Sequence, residues 1–406
     1  MRIMADDLIH DWNLEERPSR PTGPILLDDE TLRDGLQSPS VVDPPIERKR
    51  ELLHLMDELG IDTADVGLPG AGPRAEADVE ALCREIARAR LSIRANCAAR
   101  TMARDVDPIL RVVDATGVPV EACLFIGSSP IRQYAEGWDE DFLVRQSTEA
   151  IAYAVERGLA VMFVTEDTTR AKPETIRRLY TEAVRCGAAR VCLADTTGHA
   201  TPAGTARLVK FVRAFLDEGG HREIGIDWHG HRDRGMGLAN CIAAYEAGAT
   251  RVHGCALGIG ERSGNAEMDL LLVNLKLLGW IDRDLTKLGD YCRAASAALG
   301  VPIPDNYPVV GSDAFETATG VHAAAVIKAF KKGDRWLADR IYSGVPAGDF
   351  GFQQSIRIGP MSGRSNVVHW LESRGHEPTD ERVERIIAAA KGSKKLLDDA
   401  DILALV

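Results

Sequence analysis

A chain of 406 residues with 45% apolar content has the material for one large core of roughly 250–300 residues and a smaller module beside it. The net charge of −12 and pI of about 5.4 exclude a nucleic-acid binder as the expectation. Eight cysteines are scattered without a Cys-x-x-Cys pair, so reduced thiols in a cytoplasmic protein are expected rather than a disulfide framework or zinc knuckle. No apolar run approaches membrane-spanning length and the first twenty residues are polar and acidic, so neither a signal peptide nor a membrane partner is expected.

In chain order, residues 1–23 read as a loose or partner-dependent arm. From Pro24 to about residue 280, short apolar runs alternate with amphipathic helical patterns. The predicted strands are Ile25–Asp28, Thr63–Gly67, Leu91–Ala95, Val120–Ile126, Ala160–Val164, Val191–Ala194, Ile224–Trp228 and Arg251–Cys255. Predicted helices between them include Ile46–Leu59, Ala75–Ala89, Asp141–Arg157, Pro173–Arg185, Ala203–Leu216 and Leu238–Ala247. Eight β-then-α units predict a (β/α)8 barrel over 24–280, with an open doubly wound sheet as the competing architecture. Almost every chemically loaded cluster falls just after a strand, which favours the barrel, whose active sites lie at that rim. Beyond Trp280 the rhythm breaks. Residues 281–406 carry Pro302, Pro304 and Pro308, then short helical patterns, and read as a linker and a smaller, mostly helical C-terminal subdomain without a separate regulatory domain.

The most informative stretch is Asp227-Trp228-His229-Gly230-His231. Histidines two apart at a strand end project together, because strand side chains repeat every two residues. Asp34, from the end of another predicted strand, completes a 2-His-1-Asp face that leaves positions open for substrate. Such oxygen and imidazole donors suit Mg, Mn or Zn. Arg33 next to it is placed to stabilise a developing oxyanion, or else pairs with Glu30 or Asp28. Glu166-Asp167 follows an apolar run; Glu166 is the candidate for proton transfer, and Asp167 is open to a salt bridge with Arg170. The turn Gly258–Asn265 permits close backbone approach and opens the last barrel helix, so Gly260, Glu261 and Arg262 are the expected cofactor contacts.

Taken together the motifs resemble the 2-isopropylmalate synthase and homocitrate synthase family, within the metal-dependent barrel lyases and synthases. The resemblance spans about Leu26 to Arg364. It rests on Asp29–Gln37, Asp65–Pro69, Glu166-Asp167 with Arg170, Asp195–Gly198, His229-Gly230-His231, Gly258–Asn265, Gly320-Val321-His322 and Ser362-Gly363-Arg364. It implies a Claisen condensation of acetyl-CoA with a 2-oxo acid, giving a 2-substituted malate and CoA. It further implies Asp34, His229 and His231 as metal ligands with Asn265 supporting the metal or its water, Arg33 at the alkoxide, Gln37 and Thr196 on substrate, and Glu166 and His322 sharing proton transfer. In relatives the Gly-x-His segment reaches a partner's barrel, which implies a homodimer with His322 acting in trans.

Several positions depart from the family pattern. Homocitrate synthases hold the distal carboxylate of 2-oxoglutarate with an arginine where this chain has Met162, and a further polar contact falls at Leu68. These two residues are expected to line an apolar side-chain end, with 2-oxoisovalerate the conservative substrate. Arg232 and Arg132 are added cations, which keep an anionic acid such as phosphonopyruvate, oxaloacetate or 2-oxoglutarate as an alternative. A carbon–carbon lyase of the hydroxymethylglutaryl-CoA lyase or aldolase type is a further alternative, disfavoured because Cys255 precedes the glycine loop rather than lying in it. A degenerate, non-enzymatic barrel would have lost metal or base residues, and the central ones are present.

Overall fold

The computed structural model describes residues 8–13, 21 and 23–406; the expected arm over 1–23 falls largely outside them. The chain divides into two units, one of residues up to 283 with 294–301 and one of residues 284–293 with 302–406.

The first unit is a closed, all-parallel barrel. Its strands are β1 (Leu26–Asp29), β2 (Thr63–Asp65), β3 (Arg94–Arg100), β4 (Val120–Gly127), β5 (Val161–Glu166), β6 (Arg190–Asp195), β7 (Gly225–Gly230) and β8 (Arg251–Gly254). The helices between them are α1 (Ile46–Glu58), α2 (Pro73–Ala89), α3 (Ala103–Thr116), α4 (Pro130–Glu136), α5 (Glu140–Glu156), α6 (Pro173–Arg185), α7 (Pro202–Glu218) and α8 (Gly237–Ala247), and α9 (Met268–Leu277) follows β8. Closure comes from β1 against β8, with Asp28 opposite His253 and Asp29 opposite Gly254.

The third strand lies further along the chain than Leu91–Ala95. The Asp57 carboxylate accepts hydrogen bonds from Ser92 N, Ser92 Oγ and Ile93 N at 2.7–2.8 Å, which fixes that stretch as a lead-in. The strand itself, Arg-Ala-Asn-Cys-Ala-Ala-Arg, has no β-branched or aromatic residue to announce it. Helix α3 was absent from the expected helices; it carries Pro108 inside it, a residue that argues against a helix when read alone. The seventh strand extends past Trp228, so His229 stands on the strand itself.

Branched aliphatic side chains usually fill such a barrel. Here part of the interior is ionic. Arg251, 2% exposed, reaches Glu121 Oε2 at 2.6 Å and also binds the Asp227 carboxylate. Asp227 is shared with Arg190 at 2.7 Å and with His253 Nε2 at 2.9 Å. His253 Nδ1 faces Glu30 Oε1 at 3.0 Å. Ions buried this deeply cost several kcal/mol each to desolvate, so each depends on its partners.

The second unit begins with α10 (Leu288–Leu299), whose last residues belong to the first unit. It continues with β9 (Glu316–Thr317), α11 (Gly320–Lys331), α12 (Arg335–Arg340), β10 (Ser355–Ile356), α13 (Arg364–Ser373), α14 (Asp380–Gly392) and α15 (Asp399–Leu403). β9 and β10 form a parallel pair. Ile358, Val367, Trp370, Leu371, Val383 and Ile386 make its main apolar core. Among the described residues no helix is long and apolar enough to cross a membrane.

Burial works against a charged His253, but Glu30, Asp28 and Asp227 outweigh it and push the imidazole from 6.5 to about 10. A group raised in the folded state contributes stability that is complete below its unfolded pKa and is lost as pH rises through the folded one. Wild type and His253→Gln should therefore differ most in denaturant midpoint near pH 6, with the gap closing as pH rises from about 6.5 to about 10. A gap independent of pH would show that the ring is neutral in the fold.

Candidate active site

The chain leaves β1 in a tight turn. Asp29 Oδ1 accepts Thr31 N at 2.8 Å, and the Glu30 carbonyl accepts both Arg33 N at 3.1 Å and Gly35 N at 3.0 Å. This turn places Asp34 over the barrel mouth. His229 comes from β7, and His231 lies just past it, paired antiparallel with Asn265 from the loop after β8. The Nε2 atoms of both histidines lie 3.5 Å from Asp34 Oδ2. All three side chains are buried, and their donor atoms fall within 4.8 Å of one another. Strand alternation thus brings together the three residues expected to form the cluster.

Two buried polar atoms of the described residues around this point have no partner. Among the described residues, His231 Nδ1 and Asn265 Oδ1 are buried without a hydrogen-bond partner. Burial first, and the neighbouring His229 second, pull the His231 imidazole down to about 4. It is therefore neutral near pH 7 with a lone pair to give. His229 Nδ1 donates to Glu30 Oε2 at 2.6 Å, which leaves Nε2 as the free donor atom facing Asp34. A second cluster, Glu30 with His229 and His253, also has the spacing for an ion. Both nitrogens of His253 already face carboxylates, and Glu30 also takes Arg33 Nη2 at 2.8 Å, so that cluster has no lone pair to spare.

Arg33 pairs with Glu30, as one reading expected, and its other partner is Asp65 at 2.7 Å rather than Asp28. Its remaining Nη1 lies 3.7 Å from Asp34 Oδ2, so one face of the guanidinium is turned to the cluster. Burial works against its charge, but Glu30, Asp65 and Asp34 outweigh it and hold the group well above its ordinary range.

The cluster lines a cavity of about 140 Å³. Gln37, Leu68, Met162, Glu166, Thr196 and Glu261 all line it. Its floor is apolar: Met162 packs with Cys123 and Cys192 against Val164. Burial raises the Glu166 carboxyl above its ordinary range, with Arg132 and Arg33 pulling the other way. Asp167 is held bidentately by Arg170 at 2.7 Å, which leaves Glu166 as the carboxylate facing the cavity. Thr196 Oγ1 accepts Asp167 N at 2.8 Å.

In the glycine-rich turn, a Cβ on Gly260 would lie 2.7 Å from Asn265 Nδ2, so glycine lets Asn265 approach. Arg262 is a latch: it binds Asp233 at 2.9 and 3.0 Å and the Thr196 carbonyl at 2.6 Å. Arg232 pairs with Glu267 and the Ser263 carbonyl, and Arg132 pairs with Glu136 at 3.1 Å. The added cations are therefore matched by carboxylates. Cys255 is buried, accepts from Asn265 Nδ2 at 3.1 Å, and is held protonated by burial. His322 lies in the second unit, exposed in the first turn of α11, with its ring stacked on Tyr342 at 4.2 Å.

Sequence reasoning missed Glu30, Asp65, Asp227 and His253 as parts of the site. The available signal was charged residues two apart: Asp28 and Glu30, Arg251 and His253, and Asp227, His229 and His231. In a closed barrel each such set turns inward together.

A family model described as HMGL-like matches residues 25–296. Homocitrate synthase AksA of Methanopyrus kandleri is 35% identical over 370 residues, covering 90% of this chain and 87% of that protein. A probable 2-isopropylmalate synthase of the same organism is 33% identical over 371 residues, covering 90% and 69%. Among solved structures, the Bacillus subtilis HMG-CoA lyase matches with a TM-score of 0.57 at 21% identity, over 70% of this chain and 96% of that one, a likeness of fold. With its eight-stranded barrel, its Asp–His–His cluster and these relatives, the chain belongs to the HMGL-like family.

Proposed function

We propose that the protein is an acyltransferase that condenses acetyl-CoA with a 2-oxo acid of apolar side chain, giving a 2-substituted malate and CoA, with 2-isopropylmalate as the conservative product. The observation that carries this reading is the apolar floor beside the Asp34, His229 and His231 cluster. Among the described residues lining the cavity, Arg33 is the one arginine, and it is committed to Glu30, Asp65 and the cluster. Arg251 lies against Met162 Sδ at 3.2 Å, but Asp227 and Glu121 take its charge. A second carboxylate at the side-chain end would be buried without a partner, which is costly.

Asp34, His229 and His231 would hold a divalent cation, Mg, Mn or Zn, with Asn265 beside it. When bound, the cation supplies the positive charge that polarises the ketone of the 2-oxo acid. Glu166, with its affinity for protons raised by burial, takes a methyl proton from acetyl-CoA, with His322 sharing the transfer. The resulting enolate carbon attacks the ketone carbon, and Arg33 Nη1 faces the oxygen that gains charge and then a proton. Water cleaves the thioester, releasing the CoA thiol and the new carboxylate. Gln37 and Thr196 hold the acid, while Gly260, Glu261 and Arg262 shape the rim where acetyl-CoA enters.

His322 fits this scheme as a residue given to a second copy. Around it Val321, Met361 and Tyr342 are 73%, 71% and 50% exposed, an apolar surface that a homodimer would cover. The identity to a homocitrate synthase favours a second reading, with 2-oxoglutarate as the acid.

The choice is made by a panel of 2-oxo acids with acetyl-CoA, read as released thiol. 2-Oxoisovalerate or another apolar acid should exceed 2-oxoglutarate in kcat/KM by at least about tenfold, the worth of a buried unpaired charge being well above 1.4 kcal/mol. A best rate with 2-oxoglutarate would reverse the assignment. For the cation, His231→Ala and Asp34→Ala should stay folded, lose Mn²⁺ binding after chelation, and fall at least about a hundredfold in turnover; full activity in chelated His231→Ala would remove the metal from the scheme. For the dimer, inactive His322→Ala and inactive Asp34→Ala subunits are allowed to exchange. Mixed dimers carry one intact site if His322 acts in trans, so activity should return; inactive heterodimers would place His322 in cis or outside catalysis.

A further inference from the structure

Behind His229 the barrel interior continues as an unbroken line of polar contacts. His229 Nδ1 meets Glu30 Oε2 at 2.6 Å, Glu30 Oε1 meets His253 Nδ1 at 3.0 Å, and His253 Nε2 meets Asp227 Oδ2 at 2.9 Å. Asp227 is anchored in turn by Arg190 and Arg251. Glu30, His253 and Asp227 are 3%, 2% and 0% exposed, so water does not compete for these contacts. Glu30 stands at the branch point, because Oε1 also receives Arg33 Nη2 at 2.8 Å. One carboxylate thus fixes both the ring of a candidate metal ligand and the guanidinium expected at the oxyanion.

A carboxylate at the end of three rotatable bonds does not hold two partners in place unaided. His253 meets Glu30 Oε1 through Nδ1 and is itself fixed at its far nitrogen by Asp227. With carboxylates at both nitrogens, it donates from both. The order of contacts runs from two arginines at the barrel interior to the mouth, with carboxylate, imidazole, carboxylate and imidazole alternating. Removing His253 would free Glu30 to follow Arg33 toward Asp65, whose Oδ2 already accepts Arg33 Nε at 2.7 Å.

We infer that His253 is a positioning residue that acts through Glu30 to hold His229 as the Nδ1–H tautomer and so sets the affinity of the Asp34, His229 and His231 cluster for a divalent cation. This rests on the reading of that cluster as the metal site. Outer partners of metal-bound histidines are worth roughly 10–100-fold in affinity. Glu30→Gln is the harsher change, since an amide nitrogen facing Nδ1 moves the ring proton to Nε2 and removes the donor atom.

The test is Mn²⁺ affinity, measured by the EPR signal of free Mn²⁺, for wild type, Glu30→Gln, His253→Gln and the double variant. His253→Gln should bind roughly tenfold more weakly and Glu30→Gln about a hundredfold more weakly. The double variant should match Glu30→Gln alone, because His253 acts only through Glu30. A His253→Gln protein with wild-type affinity, or a double variant whose loss is the product of the two single losses, would overturn the inference while leaving the metal site intact. Wild type that binds no Mn²⁺ would overturn both readings. Should His253→Gln fail to fold, long-range ¹H–¹⁵N spectra of the metal-free wild type decide: a His229 proton on Nδ1 supports the relay, and one on Nε2 refutes it.

Discussion

The pairing of β1 with β8 is the constraint on which the site depends. It closes the barrel, and it sets Asp28 opposite His253 in register. Because side chains alternate along strands, Asp28 and Glu30 then turn inward together with Arg251 and His253. A slip of β8 by one residue would send Arg251 and His253 outward and leave Asp227 with Arg190 alone. The ionic interior therefore specifies the register that completes it. The same closure brings the loop after β8 against the end of β7, where Asn265 pairs with His231 and Gly260 makes room for it.

Burying this many charges is a poor way to gain stability, since desolvation consumes most of the attraction. What it provides is fixed orientation. Glu30 has no freedom to turn from His229, because Arg33 and His253 hold its other oxygen. Arg33 is held at Nε and Nη2 and left open at Nη1. In a site that stabilises developing charge, groups fixed before the reaction need no rearrangement during it. The neighbouring histidines are divided by environment. His253 is surrounded by carboxylates and raised to about 10, while His231 is crowded by burial and His229 and lowered to about 4. One keeps its charge at neutral pH and donates from both nitrogens; the other stays neutral with a free lone pair.

Much of this was legible before the structure. The eight-fold alternation was visible because most strands still carry a short apolar run, as in β4 and β5, and the rim residues followed those runs. The spacing of His229 and His231 read correctly, since period two survives any small error in strand bounds. β3 starts later than the sequence reading because Ala98 and Ala99 carry no strand preference. The commitments of Arg232 and Arg262 were hidden for a different reason. Their partners, Glu267 and Asp233, lie 35 and 29 residues away, in turns whose approach only the fold determines. Glu30 was in view throughout as part of the Asp29–Gln37 motif, but its role belongs to His253, 223 residues distant.

Most of the cavity's charged and apolar groups come from different strands, with Asp65 at the end of β2 and Glu166 at the end of β5 as the exceptions. β1, β7 and β8 supply Glu30, Arg33, Asp34, His229, His231 and His253, the groups that handle charge. β3, β4, β5 and β6 supply Ala98, Cys123, Phe125, Met162, Val164 and Cys192, which shape the space for a side chain. Replacing a residue of the second set changes the volume and polarity of the cavity; of these six, Met162 also touches the charged set, through Arg251 at 3.2 Å. A barrel divided this way can change its substrate by single substitutions on β4 or β5 while keeping one chemistry. Relatives named for different products, homocitrate and 2-isopropylmalate, stand at nearly equal identity to this chain, 35% and 33%. Two such close values do not choose between the two acids. In this chain the thioether of Met162 stands between the cavity and an arginine already neutralised by Asp227 and Glu121, so that arginine has no free charge to offer a ligand there.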